Sequence, residues 1–113
     1  MKLVTVPISF AELASLAKSR FGDMVKAVVD VEKGIMALDA DLHADEEAYL
    51  LKEGSKQSNL WGINLYPEVS GDDWIQFDSM INVRPSVGNR SRGVSDSTIQ
   101  TKIIAIVTKL IIR

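Results

Sequence analysis

Val25, Ala27, Val29 and Val31 alternate with Lys26, Val28 and Asp30, and beyond Lys33-Gly34 the apolar series resumes as Met36, Leu38, Ala40 and Leu42. Side chains on a strand alternate between faces, so two such runs around a short polar break specify an antiparallel hairpin with one apolar face. With Lys33-Gly34 as a two-residue turn, Val31 opposes Met36, Val29 opposes Leu38, Ala27 opposes Ala40 and Val25 opposes Leu42. Lys26 then meets Asp41 on the other face as a cross-strand ion pair. A one-residue slip would set valines against aspartates, which selects this register.

The flanking segments extend the pattern. Leu3 to Val6 reads as a strand ended by Pro7, and Ser9-Phe10-Ala11-Glu12 is a capping box that opens a helix. Ile8 and Leu13 supply its hydrophobic staple, Phe10, Leu13, Leu16 and Ala17 its buried stripe, and Gly22 its left-handed end. A second helix spans 44–53, with Asp45, Glu46 and Glu47 complementing its N-terminal dipole. Leu60 to Tyr66 and Trp74 to Arg84 read as strands, and Pro85 to Gly93 as a loop. Ser95 or Asp96 caps a last helix, in which Ile99, Ile103, Ile106 and Leu110 recur at helical spacing. The order β-α-β-β-α-β-β-α predicts an α+β domain spanning 1–113. Its sheet is expected to be mainly antiparallel with the helices on one face, as a ferredoxin-like core plus a C-terminal strand and helix.

Composition narrows the class. With 113 residues, 46% apolar and 25% charged, the chain suits one globular core and excludes disorder, collagen and coiled coil. It has no cysteine, which excludes disulfides, thiolate metal sites and cysteine nucleophiles. No run approaches the ~18 apolar residues of a membrane span, and Met1 to Pro7 lacks an apolar signal segment, so a cytoplasmic location is expected. The net charge of −2 conceals a gradient: +2 over residues 1–29, −9 over 30–78 and +5 over 79–113. A broad nucleic-acid surface is not expected of such a chain, but a local anion site near the C-terminal end is.

Arg84, Asn89, Arg90 and Arg92 are the candidates for that anion site. Gly88 and Gly93 flank a loop whose backbone N–H groups can converge, while guanidinium forks match phosphate or carboxylate. The loop is no nucleotide-binding P-loop, because Val94 stands where the phosphate-binding lysine must be. The competing account is a surface loop whose arginines balance the acidic middle of the chain. A second candidate surrounds His43, the one histidine, with Asp39, Asp41, Asp45 and Asp78 as potential partners in metal-assisted hydrolysis or proton transfer. Against it, Asp39 and Asp41 suit a solvated strand face and the EF-hand pattern fails at Ala44 and Leu50; no metal or cofactor is expected. Trp74, Gln76, Asp78, Met80, Asn82 and Arg84 share a strand face rich in groups that suit a covered surface, and a second subunit would make the protein a homo-oligomer.

Several segments carry a family likeness. They are Arg20-Phe21-Gly22-Asp23-Met24-Val25-Lys26-Ala27-Val28-Val29-Asp30-Val31, Leu42-His43-Ala44-Asp45-Glu46-Glu47, Asn59-Leu60-Trp61-Gly62-Ile63-Asn64-Leu65-Tyr66-Pro67, Phe77-Asp78-Ser79-Met80-Ile81-Asn82-Val83-Arg84-Pro85 and Gly88-Asn89-Arg90-Ser91-Arg92. Over nearly its whole length the chain resembles a family of small uncharacterised prokaryotic proteins of unknown function. That resemblance implies a stand-alone domain and carries no activity or catalytic residue. The residues themselves favour a binding or interaction module for a small anion or a protein partner. The alternative is an enzyme built on His43 and nearby carboxylates.

Overall fold

The structure is a computed structural model that describes all 113 residues. Its regular elements are β1 (Lys2–Val4), β2 (Ile8–Ser9), α1 (Phe10–Arg20), β3 (Val25–Asp30), β4 (Ile35–Leu38), α2 (His43–Lys52), β5 (Leu60–Leu65), β6 (Ile75–Gln76), α3 (Ser97–Leu110) and β7 (Ile111–Ile112). Five strands form an antiparallel sheet in the order β1-β4-β3-β5-β6, and β2 pairs in parallel with β7 as a separate ribbon. The α+β class follows. No helix is long and apolar enough to cross a membrane.

The ferredoxin-like arrangement does not form. In that order the fourth core strand lies beside the first; here β5 lies beside β3, the second. The crossovers β1-α1-β3 and β4-α2-β5 step the same way along the sheet, yet they start from strands that point in opposite directions. Right-handed crossovers then place their helices on opposite faces. Accordingly Leu13 and Ala17 of α1, with Ile103, Val107 and Leu110 of α3, pack on Val25, Ala27, Val29, Met36 and Leu38. Leu50 of α2 packs on Val28, Ala37 and Leu60 from the other side. The expectation of helices on one face is thus corrected to a sheet covered on both.

The hairpin keeps its predicted faces but shifts its register by two residues. Val29 opposes Met36 and Ala27 opposes Leu38, so neither Val31–Met36 nor Lys26–Asp41 forms. Asp30 is the reason. Its Oδ1 accepts the N–H groups of Glu32 and Lys33, each at 2.9 Å, and the Gly34 N–H returns to the Asp30 carbonyl at 2.9 Å. That closure needs a four-residue loop, Val31 to Gly34, with Gly34 at φ +68°. Asp41 pairs instead with Arg20, whose Nη1 and Nε reach Asp41 at 2.6 Å and Asp39 at 3.0 Å.

Helix ends follow the sequence closely. The Ser9 hydroxyl accepts the Glu12 N–H at 3.1 Å, and Asp96 accepts the Thr98 N–H at 2.8 Å. Glu46 departs from its expected role at a solvated helix start. It is fully buried, with Oε2 accepting the Ala40 N–H at 3.1 Å and Oε1 unpartnered. Burial pushes its carboxyl up to about 9, against the pull of the Ala40 N–H and Lys26, so the folded protein holds it protonated at neutral pH. The unfolded chain releases that proton near the usual carboxylate value. The contribution of Glu46 to stability is therefore intact in acid and falls as pH rises from about 4.5 towards about 9. Glu46→Gln should remove this slope. Urea midpoints at pH 5 and pH 8 should show near parity with the parent at the lower pH and an advantage of about 2–4 kcal/mol at the higher.

The strand expected over Trp74–Arg84 is reduced to the two residues of β6 and a short turn at Met80–Asn82, and a second short turn, Pro85–Val87, opens the loop that follows. Its predicted covered face goes with it. Trp74 joins the main core, Met80 is 66% exposed and Asn82 is fully buried. The reason for expecting a second subunit on that face is removed.

Candidate functional site

The chain from Ser79 to Ser95 runs as a strap along the outer edge of β5, from Ile81 packed on the α2-face cluster to Val94 in the main core, and two asparagine amides hold it. Asn82 Oδ1 accepts the Gly62 N–H at 2.8 Å, while Nδ2 donates to the Gly62 and Arg92 carbonyls, each at 2.9 Å. An amide side chain thereby takes the place of a neighbouring strand on the outer edge of β5. The approach is close enough that a Cβ at Gly62 would lie 2.5 Å from the Ser79 Cβ, which only glycine avoids. Asn89 organises the rest. Its Nδ2 donates to Asn82, Gly93 and Ser91 carbonyls at 2.7, 2.9 and 3.2 Å, and its Oδ1 accepts the Ser95 N–H at 2.8 Å. Backbone bonds between Arg84 and Asn89, with Gly88 at φ +83°, close the loop between them.

That bracing aims Arg84 at Trp61 on β5. The guanidinium carbon stands 4.8 Å from the indole ring, and Nη2 donates to the Leu60 carbonyl at 2.5 Å. Glu47 of α2 is the nearest counter-charge, with Oε2 3.7 Å from Nη2, beyond hydrogen-bond reach. Arg84 Nε and Nη1, Trp61 Nε1 and Glu47 Oε2 are all buried and without a hydrogen-bond partner. Burial lowers the affinity of Arg84 for its proton and Glu47 partly restores it; a guanidinium remains charged at neutral pH. Around this cluster lies a pocket of about 730 Å³, walled by Val83, Val87, Ile99, Ser58, Ser86 and Ser95 among others. Its size is that of small-molecule sites generally, roughly 300–1,000 Å³.

The four residues singled out from sequence separate here. Arg84 and Asn89 line the pocket, but the Asn89 amide is spent on the loop. Arg90 is exposed and does not line it. Arg92 is exposed, with Nε on Asp78 Oδ1 at 2.8 Å. Trp61 and Glu47 escaped sequence reading because each had a sufficient local role, as a strand apolar and as a helix-dipole acid. Nothing in their spacing links them to Arg84.

His43 lines a separate depression of about 380 Å³ with Lys26, Asn64, Tyr66, Asp78 and Arg92. Its Nε2 bonds the Ile63 carbonyl at 2.8 Å, which assigns the ring proton to that nitrogen. Burial depresses its protonation, so acidification charges the unfolded chain first and lowers stability below about pH 6.5. The carboxylates do not gather around it. Asp39 and Asp41 are drawn to Arg20, Asp78 pairs with Arg92, and no three histidine or acidic side chains are placed to hold a metal ion.

Neither the curated proteins nor the solved structures contain a match to this chain. The family model described as "Protein of unknown function (DUF5674)" matches residues 2–110, nearly the entire length. The chain belongs to the DUF5674 family.

Proposed function

We propose that this protein is a small-molecule binding module whose pocket takes an organic molecule through an acidic group read by Arg84. One observation carries the proposal. A mostly buried guanidinium uses one of its five N–H donors on the protein and leaves Nε and Nη1 idle beside an equally idle indole N–H. Buried donors left unpaired each cost about 1–3 kcal/mol, and their clustering on one pocket supports a ligand that completes them. A carboxylate or phosphate is the complementary group, since guanidinium forks bind such oxygens in pairs. Asn89 serves as the brace of the loop that presents Arg84. The enzyme alternative has less support, because Asp78 is the one carboxylate lining His43's depression and it is paired with Arg92.

Thermal shift with a panel of small carboxylates, amino acids and organic phosphates tests this. At least one compound should raise the melting temperature in a concentration-dependent way, since only a ligand bound to the folded state adds a mass-action term. Arg90→Ala with Arg92→Ala locates the site: loss of the response in that variant would assign capture to the exposed loop instead of the pocket. No response to any compound would overturn the proposal.

A further inference from the structure

We infer that the ligand of this pocket is a free α-amino acid with an apolar side chain. The inference rests on the Arg84 pocket being a binding site, and it comes from the acceptor that stands among the donors. Glu47 Oε2 is buried and unpartnered like the Arg84 and Trp61 nitrogens, but it needs a donor where they need an acceptor. At 3.7 Å from Arg84 Nη2 the two charges attract without bonding, so neither satisfies the other.

Charge balance sharpens the choice. Arg84 and Glu47 cancel, and Asp96 at the rim leaves the lining with one net negative charge. A plain carboxylate would neutralise Arg84 and leave Glu47 both buried and uncompensated, an expensive arrangement. An ammonium group next to the carboxylate answers both at once: the carboxylate accepts from Arg84 and the Trp61 indole, and the ammonium donates to Glu47. The remaining wall, with Val83, Val87 and Ile99, suits an aliphatic or aromatic side chain. A phosphate ligand brings more negative charge and no donor, and fits this lining less well.

Calorimetry on the intact protein with three matched probes decides. Leucine should bind; 4-methylpentanoate, which lacks only the amino group, and 3-methylbutylamine, which lacks only the carboxylate, should each bind at least tenfold more weakly. In Glu47→Gln the gap between leucine and 4-methylpentanoate should shrink to a few-fold, because the ammonium loses its anion while the shape is kept. Equal binding of leucine and 4-methylpentanoate to the parent would overturn the amino-acid assignment and leave the acid-binding pocket standing. Binding of none of the three, together with a silent thermal-shift panel, would remove both and assign the idle groups to ordered water only.

Discussion

Asn82→Ala should lower the stability of the fold by about 2–4 kcal/mol and its melting temperature by roughly 10–15 °C. The side chain is fully buried and makes three bonds to backbone groups, two of them to the N–H and carbonyl of Gly62 on the outer edge of β5. Removing it strands the Gly62 N–H and carbonyl beneath the strap and leaves the Arg92 carbonyl with the Ser79 N–H alone. Stranded buried groups are charged their desolvation, whereas a hydrogen bond lost at the surface is replaced by water. Asn82→Asp gives no rescue: the acid can still accept from Gly62 but sets an oxygen against two carbonyls. Met80→Ala, two residues away and exposed, should change stability by less than about 0.5 kcal/mol. A loss under about 1 kcal/mol in Asn82→Ala, by urea unfolding, would mean that the strap is held by something other than its amides.

Arg84→Gln should weaken capture of an acidic ligand at least a hundredfold while leaving the protein folded. Two charge-assisted hydrogen bonds at about 1.5–3 kcal/mol each set that scale. Arg84→Lys should recover little, because an ammonium offers a point charge in place of a fork and cannot lie flat on Trp61. The structural cost is smaller. Arg84 makes one bond to the Leu60 carbonyl and covers the indole face, but it also holds a desolvated charge with idle donors. Losing both kinds of contribution should change stability by no more than about 1–2 kcal/mol. A group that the ligand needs far more than the fold does is what a binding residue looks like; a variant with parental affinity would exclude Arg84 from the site.

The separation between what the sequence discloses and what it conceals has a physical basis. Alternation marked the faces of β3 and β4 correctly, since face depends only on parity. It could not fix their register, because Asp30 sets the loop length through its side chain and a two-residue shift preserves parity. The caps of α1 and α3 were legible because capping is local. The strap was not: Asn82 sits in a stretch that alternates like a strand and Asn89 in a loop that reads as an anion site, and neither setting discloses an amide acting as backbone. Opposite-face helices follow from strand order, which no local pattern encodes. The pocket draws Glu47, Trp61 and Arg84 from three distant segments, so only Arg84 announced itself, and it did so through neighbours, Arg90 and Arg92, that point elsewhere.

The indole resonances offer the most direct test that the pocket beside Arg84 captures a small organic acid. The chain has two tryptophans, and of the two Trp61 lines the pocket and Trp74 does not. Trp61 lines the pocket with its Nε1 unpartnered, while Trp74 packs edge-on to Phe10 at 6.3 Å in the main core. In a ¹⁵N-correlated spectrum titrated with leucine and, separately, with 4-methylpentanoate, the Trp61 indole N–H should move in a saturable way with at least one of them, while that of Trp74 stays in place. If the Trp61 signal stays fixed to saturating concentrations of both, or both indoles move together, the pocket is not a binding site.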